Sequence, residues 1–319
     1  MDDPVLLHVS DDPESFRDRG QLFRAPVRPG AVSRMFLDHV NGCAQPMRVI
    51  ACLANAGAEA TQCSVIGESA GPAANGMQVG HDATAAFLRT RELARQAPTD
   101  MIVPPGQSMV LLTQTLAPGD CVAGIFDVEP SANAELDFRV MACDPVNQSP
   151  DVFEKLPPAK GDGIGRRGVF DIAGASDISE SWSGQPIAFK FGEDSHARDA
   201  SDPYQGPAHA GEYAITKRFA CTLNDTTGAG ASTALYASPR GGKATATFII
   251  DSEIVEARGA QAGQRYKVSQ VDVPAGGETK VSVVTMAEIN SYYPFELSIS
   301  ADDTQISDPF SGDSPLYRR

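Results

Sequence analysis

The stretch Val103-Pro-Pro-Gly-Gln-Ser-Met-Val-Leu-Leu-Thr113 combines a turn with the beginning of a β-strand. A related stretch, Val273-Pro-Ala-Gly-Gly-Glu-Thr-Lys-Val-Ser-Val-Val-Thr285, occurs later in the chain. In both, proline fixes φ for a turn and glycine accepts the conformation that other residues resist. The β-branched residues that follow favour a pleated strand. Both stretches therefore predict a turn that leads into a strand, as between the strands of a β-sandwich.

Four features recur in the same order about 170 residues apart. The sequence Arg48-Val-Ile-Ala-Cys-Leu-Ala-Asn55 is similar to Arg218-Phe-Ala-Cys-Thr-Leu-Asn224, and each is followed by a Gly-Ala turn and another strand-like run. The Pro-x-Gly units come next, and residues 121–129 then correspond in position to residues 292–300. Short strands with a turn about every ten residues are typical of Ig-like domains. The repeat predicts two related Ig-like β-sandwich domains.

The chain is long enough for two domains that each bury a core. We expect an all-β fold with one short helix, at about residues 82–96 in the first domain. Asp82 is the expected N-cap, and Pro98 marks the end of the helix. The expected division is a first β-sandwich domain at 1–146, a linker rich in Pro, Asp and Lys at 147–167, a second β-sandwich domain at 168–307 and an extended tail at 308–319.

The composition is that of a globular, acidic protein. Hydrophobic residues make up 42% and charged residues 21%, and the formal net charge is −15. This charge argues against nucleic acid or an anionic membrane surface as the partner. The sequence also lacks a run of about 20 apolar residues, so we expect no transmembrane helix.

The beginning of the sequence leaves the compartment open. Met1-Asp-Asp-Pro4 has no basic segment followed by an apolar run, so it does not match a signal peptide. One interpretation is a mature exported protein that carries an added initiator methionine. The other is a cytosolic protein that never had a signal peptide.

Six cysteines are present, and none forms a CxxC pair or a Cys/His cluster of the kind that binds zinc. Cys52 and Cys63 flank one turn, and Cys121 and Cys143 flank another. If the strands of each pair are adjacent, these spacings allow the disulfides Cys52–Cys63 and Cys121–Cys143. The pairing of the remaining two, Cys43 and Cys221, stays open. Disulfides would favour an exported protein, and buried free thiols are the alternative.

Gly67-Glu68-Ser69-Ala70-Gly71 matches the G-x-S-x-G pattern of a nucleophile elbow, in which a strained turn exposes a catalytic serine. It follows a predicted strand, as an elbow does. The segment after it contains Pro72 and Gly76 and does not favour the helix that an elbow requires. Ser69 is thus the one weak candidate for a catalytic residue, with His196 or His209 as its base.

The five histidines do not have the spacing of metal ligands, and the Asp clusters lack the alternating pattern of a calcium-binding loop. Solvated turns explain the Asp clusters better. The sequence therefore predicts no metal site and no cofactor.

Six segments of the sequence form a recognisable set: Val9-Ser-Asp-Asp-Pro-Glu-Ser15, Arg34-Met-Phe-Leu-Asp-His-Val-Asn-Gly42, Ala70-Gly-Pro72, Val79-Gly-His-x-Ala-Thr-x-x-Phe-Leu88, Ser238-Pro-Arg-Gly-Gly242 and Thr247-Phe-Ile-Ile-Asp251. Together with the first Pro-Pro-Gly unit, they resemble a family of uncharacterised exported bacterial proteins, some of them joined to the stalk-type domain named after the copper amine oxidase N-terminus. The resemblance covers most of residues 5–300 and implies export and a cell-envelope setting. It implies no catalytic residue, no copper and no amine oxidation.

The sequence favours a non-enzymatic exported protein of the cell surface, periplasm or extracellular space, with a structural, adhesive or self-assembly role. Its expected partners are further copies of itself, as a homo-oligomer, filament or surface layer, or another envelope component. The first alternative is a module that binds a carbohydrate or another ligand, although seven Tyr and a single Trp offer few stacking platforms. The second alternative is a serine esterase that uses Ser69.

Overall fold

A computed structural model of the chain describes residues 1–93, 97–147, 149–174, 177–301 and 316–318. The chain forms two compact units. Unit 1 comprises Met1–Ala173 and His196–His209, and unit 2 comprises Gly174–Ser195 and Ala210–Arg319. Both units are β-sandwiches, so the predicted all-β fold with two sandwich domains is confirmed.

Unit 1 has two sheets that enclose an apolar core. Sheet 1a has the strand order β11-β1-β4-β9-β6-β7, with β2 beside β4, and sheet 1b has the order β3-β10-β5-β8. The strands are β1 (Leu6–Ser10), β2 (Ser15–Phe16), β3 (Gly20–Pro26), β4 (Ser33–Asn41), β5 (Met47–Asn55), β6 (Thr61–Ala73), β7 (Thr99–Val103), β8 (Ser108–Leu116), β9 (Cys121–Pro130), β10 (Leu136–Cys143) and β11 (Arg167–Asp171), with helix α1 (Gly76–Glu92) and a 3₁₀ helix at Pro150–Lys155.

Unit 2 repeats the two-sheet arrangement. Sheet 2a has the order β12-β16-β21-β18-β19-β23, and sheet 2b has the order β13-β22-β17-β20. A two-stranded pair, β14 with β15, lies where the chain passes between the units. The strands are β12 (Asp177–Trp182), β13 (Ile187–Phe191), β14 (Ser195–His196), β15 (His209–Ala210), β16 (Thr216–Asn224), β17 (Ala231–Pro239), β18 (Ala244–Ile250), β19 (Glu253–Ala260), β20 (Tyr266–Val273), β21 (Glu278–Met286), β22 (Phe295–Ala301) and β23 (Leu316–Arg318).

The connectivity of each unit is that of a jelly roll rather than of an Ig domain. In unit 1 the strands β4-β9-β6-β7 face β3-β10-β5-β8, and in unit 2 the strands β16-β21-β18-β19 face β13-β22-β17-β20. Two four-stranded antiparallel sheets in this order make a jelly roll. Turn spacing in a sequence indicates how many short strands there are, but not which of them pair, so it could not separate the two topologies.

The internal repeat is present, but the predicted alignment of its two copies is displaced by one strand. Residues 48–55 form β5, whose topological equivalent is β17, whereas residues 218–224 belong to β16. Residues 121–129 belong to β9, the equivalent of β21, whereas residues 292–300 lead into β22. The cause is that one kind of turn occurs several times in each unit.

That turn is the Pro-x-Gly unit and its variants. The N–H of Gln107 donates to the carbonyl of Pro104, and the N–H of Gly277 donates to that of Pro274. In both turns the third residue is a glycine at positive φ, which favours glycine over other residues. The turns 117–120 and 261–264 have the same hydrogen bond and the same glycine. The described residues thus contain four turns of this kind, and the sequence predicts two of them.

Asn55 fixes the first Pro-x-Gly turn. Its Nδ2 donates to the carbonyl oxygens of Val103 at 2.8 Å and Glu59 at 2.7 Å. Its Oδ1 accepts from the N–H of Gly57, and its backbone carbonyl accepts from the N–H of Gly106. A single buried side chain therefore holds the β5–β6 turn against the β7–β8 turn.

The helix begins earlier than the sequence predicts. Helix α1 spans Gly76–Glu92 and has Asn75 as its N-cap, whose side chain accepts from the N–H of Gln78. Asp82, the expected cap, lies inside the helix and accepts from the Gln78 side chain. Gly76 and Gly80, in the first turns, have low helix propensity, so the sequence does not show that the helix begins at residue 76. Residues 94–96 of the predicted helix lie outside the described residues.

The boundary between the units also differs from the predicted linker at 147–167 and second domain at 168–307. Strand β11 pairs antiparallel with β1, and Phe153 of the 3₁₀ helix packs on the outer face of sheet 1b. Residues up to Ala173 are therefore part of unit 1. Of the predicted tail at 308–319, the described part is β23, which pairs with β19.

We predict that Asn55→Ala destabilises the protein by about 1–3 kcal/mol, because it leaves the buried carbonyl of Val103 and the part-buried backbone groups of Gly57 and Glu59 without their side-chain partner. Urea denaturation followed by fluorescence measures this change. The matched control is Asn133→Ala, at an exposed turn position, which should change the free energy of unfolding by less than about 0.5 kcal/mol. Equal effects of the two substitutions would contradict the role given to Asn55.

Candidate functional site

Ser69 lies within a regular strand. Residues 67–71 all belong to β6, and Ser69 is in register with Gly124 of β9. A nucleophile elbow requires a sharp strand-to-helix turn at the serine, and here the strand continues to Ala73. The structure therefore gives Ser69 an exposed place on a sheet, without the strained geometry that would activate its hydroxyl.

The cysteines are all free thiols, so the predicted disulfides Cys52–Cys63 and Cys121–Cys143 are not formed. Cys52 lies on the outer face of sheet 1b beside Phe153, whereas Cys63 lies in the core between the sheets. Cys143 also lies on that outer face, whereas the Cys121 thiol on β9 donates to the carbonyl of Ala73 in β6. The positions of the cysteines on either side of a turn in the sequence did not show which face of a sheet each of them occupies.

A buried ionic group lies beneath helix α1. The Arg34 guanidinium donates to both carboxylate oxygens of Asp127, at 2.6 and 2.8 Å, and stacks over the ring of Phe87 at 4.8 Å. Arg91 of the helix donates to the same carboxylate at 3.0 Å. Asp127 is fully buried and Arg34 is 1% exposed. This arrangement anchors the helix on sheet 1a, and its burial leaves no access for a substrate.

A serine and a histidine are also paired in unit 1. The Oγ of Ser10 and the Nε2 of His39 are 2.8 Å apart, and the Nδ1 of His39 is 2.9 Å from the carbonyl oxygen of Pro13. Both side chains have no exposed surface. Burial lowers the pKa of His39 to about 4. The pair has the contact of a catalytic dyad, but its burial gives it a structural role.

His8 is buried without a hydrogen-bond partner for either ring nitrogen within the described part of the chain. Its ring lies 4.9 Å from that of Phe138 and 6.3 Å from that of Phe23, centroid to centroid. Burial lowers its pKa to about 3, against a smaller opposing effect of Asp199. The folded protein therefore keeps this imidazole neutral.

An acidic group surrounds the loop at residues 161–166. Asp12 accepts hydrogen bonds from the N–H groups of Asp162 and Gly163, and Asp162 accepts from the N–H of Ser15. Burial, together with Asp38 and Glu14, raises the pKa of Asp11 well above its usual range. The N–H groups of Asp162 and Gly163 thus bind a carboxylate of the chain itself. Among the described residues, no group of three His, Cys, Asp or Glu side chains could hold a metal ion.

A cleft of about 630 Å³ opens beside this loop, between residues 13–19 and 157–162. Its volume lies in the range of small-ligand sites. Its one aromatic side chain, Phe16, is 1% exposed and so presents no face to a sugar. The single tryptophan, Trp182, is buried in the core of unit 2.

One side of unit 1 presents an open edge, which we define as β7 and β8 with the turn between them. Each of these strands ends its sheet, and neither has a strand on its outer side among the described residues. The nine residues of β8 include no charged residue, and β7 contains only Asp100. Ile102 is 68% exposed and Val110 is 38% exposed. Long edges without charges are templates for pairing with another chain.

The equivalent side of unit 2 is protected. Strand β19, the counterpart of β7, is covered by β23. Strand β20, the counterpart of β8, carries Lys267 and Asp272. Charged residues and added strands are two of the ways in which proteins block sheet edges. Within the part of the chain that the structure describes, an edge that is both uncovered and nearly free of charge is therefore found in unit 1 and not at the equivalent strands of unit 2.

The comparisons with known proteins leave the function open. No protein-family model matches the sequence, and no curated protein matches it. Among solved structures, the N-terminal tandem domain CBM22-1–CBM22-2 of Xyn10C from Paenibacillus barcinonensis is 11% identical. That match covers 84% of this chain and 83% of the other, with a TM-score of 0.17. Among the described residues, no helix is long and apolar enough to cross a membrane.

Sequence reasoning did not identify the open edge. Its signal was present in Ser108-Met-Val-Leu-Leu-Thr-Gln-Thr-Leu116, a strand-like run with no charged residue. A run of this kind is equally typical of a central strand. Only the sheet order shows that it lies at an edge.

We predict that six thiols react with Ellman's reagent in denatured, unreduced protein, and that Cys43 reacts first in the folded protein. Cys43 is half-buried, whereas the other five cysteines are buried. Burial in unit 1 also raises the pKa of Cys52 to about 12, which suppresses its reactive thiolate. Fewer than six thiols in the denatured protein would mean that disulfides exist.

We predict that His8→Leu makes the protein less sensitive to acid. Unfolded His8 binds a proton below its ordinary pKa of 6.5, whereas folded His8 does so only near 3, so its contribution to stability is lost as the pH falls from 6.5. The wild type should lose about 2 kcal/mol more than the variant between pH 7.5 and pH 5. Urea denaturation at the two pH values measures this difference.

The control for His8 is Phe138→Leu, which alters packing in the same cluster without removing a titratable group. It should keep the pH dependence of the wild type. The raised pKa of Asp11 acts in the opposite direction, because its contribution is lost as the pH rises, and it is common to all three proteins. An unchanged pH dependence in His8→Leu would contradict the assignment.

Proposed function

We propose that this protein is a non-enzymatic structural protein of the cell envelope that assembles with further copies of itself through the open edge of unit 1. The observation that carries the proposal is that edge. It places an uncharged nine-residue strand, β8, next to β7 at the surface. Its unpaired N–H and C=O groups and its apolar side chains fit another strand or sheet.

The other groups described above support this role by their burial. The Ser10–His39 pair and the Arg34–Asp127 pair have no access to solvent. Ser69 is accessible but lies in a regular strand. The burial of these two pairs and the regular strand around Ser69 favour a structural protein over an enzyme.

Ligand binding is less well supported than assembly. The cleft beside the loop at 161–166 has the volume for a small molecule but no exposed aromatic face. Jelly rolls occur in carbohydrate-binding proteins and in proteins that form shells, so the fold does not choose between these functions. The open edge is the more specific observation.

Export is part of the proposal and rests on the sequence resemblance to exported bacterial proteins. The free cysteines give it no support, because disulfides would have been the mark of an oxidising compartment. A structural role at the envelope agrees with both the resemblance and the open edge.

We predict that the wild-type protein forms oligomers in solution and that the double variant Ile102→Lys/Val110→Lys weakens this association by at least about tenfold, because unpaired charges oppose strand pairing at an edge. Sedimentation velocity over a concentration series measures the association. Both side chains are exposed, so the variant should keep the stability of the wild type.

The matched control is Asn133→Lys/Gln270→Lys, which adds the same two charges at exposed positions that belong to neither β7 nor β8. It should associate as the wild type does. A wild type that stays monomeric at all concentrations would overturn the proposal, as would equal association of the two double variants.

A further inference from the structure

A second, smaller pocket lies beside the loop at residues 161–166. Its volume is about 270 Å³, and all of its lining residues belong to unit 1. The lining includes three arginines, Arg166, Arg167 and Arg198, together with Tyr204 and a single carboxylate residue, Asp12. The pocket is thus locally basic in a chain with a formal net charge of −15, and a basic pocket suits an anion.

Arg198 is fixed by hydrogen bonds to its own surroundings. Its Nε donates to the carbonyl oxygens of Gly206 and Pro207, at 3.0 and 3.1 Å. Its Nη2 donates to the carbonyl oxygen of Arg167 at 3.1 Å, and its Nη1 donates to the carboxylate of Asp202. The guanidinium is therefore already ordered, and a ligand that binds it does not have to restrict a mobile side chain.

Arg167 is positioned in a similar way. Its Nη1 donates to the carbonyl oxygen of Ala159 at 3.3 Å, and its guanidinium lies 4.9 Å above the ring of Tyr204. The ring is itself held, since its hydroxyl accepts from the N–H of Arg24 at 2.7 Å. The Nη2 of Arg167 is 3.7 Å from a carboxylate oxygen of Asp12, which is too far for a hydrogen bond. This ion pair therefore leaves room for a closer acceptor at Nη2.

Of the three arginines, Arg166 forms the fewest side-chain hydrogen bonds with the described residues. Its Nη1 donates to the carbonyl oxygen of Gly165 at 3.2 Å. Its Nε is buried and has no hydrogen-bond partner within the described part of the chain. A buried donor without an acceptor is costly. An oxyanion in the pocket would supply the acceptor, so this N–H points to a ligand.

The carboxylates around the pocket do not cancel its positive charge. Asp12 and Asp202 are the carboxylates in contact with the three arginines, so one positive charge remains in excess. Asp11 also lies close, since its carboxyl accepts from the backbone N–H of Arg166. Burial raises the pKa of Asp11, which favours its neutral form.

We propose that this pocket binds a small tetrahedral oxyanion, of the class of phosphate and sulfate, between Arg166, Arg167 and Arg198. A planar carboxylate is satisfied by one guanidinium fork, whereas the four oxygens of a tetrahedral anion can accept from several guanidinium groups at once. A volume of about 270 Å³ lies just below the range of sites for drug-sized ligands, as suits a small anion.

This inference does not depend on the proposed function, because none of the residues that line the pocket belongs to β7 or β8. A monomeric protein could bind the anion, and an assembling protein could lack the site. The two proposals therefore stand or fall separately.

Isothermal titration calorimetry of the full chain with inorganic phosphate, and separately with sulfate, at constant ionic strength tests the proposal. One site per chain is expected, with a Kd of about 1 mM or tighter. Acetate should bind at least about tenfold more weakly, because it has two oxygens instead of four. Absence of saturable binding by both phosphate and sulfate would overturn the proposal, and so would acetate binding as tight as that of phosphate.

Two substitutions of arginine locate the anion. Arg166→Gln should weaken phosphate binding by at least about tenfold, because it removes a charge-assisted donor from the pocket. The matched control is Arg17→Gln, which removes the same charge from an exposed position in the larger cleft and should leave the affinity unchanged. Equal weakening by both substitutions would mean general attraction to surface charge and would contradict the assigned site.

A third substitution should change the affinity in the opposite direction. Asp12→Asn keeps an oxygen that can accept from the N–H groups of Asp162 and Gly163, but it removes the negative charge beside Arg167. Phosphate should then bind at least about threefold more tightly, because the repulsion by Asp12 is lost. Circular dichroism confirms that each variant is folded. An unchanged affinity in folded Asp12→Asn would overturn the placement of the anion in this pocket, even if Arg166→Gln did not fold.

Discussion

Each jelly roll depends on hydrogen bonds that tie one turn to another at the ends of its sheets. Asn41 does this for the β4–β5 and β8–β9 turns, since its Nδ2 donates to Gln45 and Leu116 and its carbonyl accepts from Gly119. In unit 2 the half-buried Asp225 accepts from the N–H groups of Gly230 and Gly276. A turn at the end of a sandwich has backbone groups without ladder partners, and one polar side chain satisfies several of them.

The same turn chemistry explains what the sequence could and could not predict. The turns and the two-sandwich fold follow from local chemistry at residues such as Pro104 and Gly106, which act through their own φ angles. The alignment of the two copies of the repeat does not follow from local chemistry. Asn55 ends β5 and Asn224 ends β16, and these two strands are not equivalent in their jelly rolls. A pattern made by turn chemistry is repeated wherever that chemistry is needed, and only strand pairing shows which copies are equivalent.

The sequence also did not show on which side of a strand a residue lies. Cys52 and Cys63 flank one turn, but Cys52 lies on the outer face of sheet 1b and Cys63, on β6 of sheet 1a, lies in the core. The open edge could not be predicted either, because β8 has the composition of a central strand and becomes an edge only through the jelly-roll order. Helix α1 was predictable as an insertion into unit 1, but the buried Arg34–Asp127 pair that fixes it joins residues of two different strands.

The two units have diverged at the connection between their equivalent strands. In unit 2 the turn between β18 and β19 consists of Asp251 and Ser252, both at positive φ, which suits a tight hairpin. In unit 1 the corresponding connection contains helix α1. Among the described residues, unit 2 closes the edge of sheet 2a with β23, whereas unit 1 has no strand on the outer side of β7. If two copies met through the same open edge, the contact would be isologous and would close as a dimer. If the open edge of one copy met a different surface of the next, the contact would be heterologous and would produce a ring or a filament, so the surface that faces the open edge would decide which assembly forms.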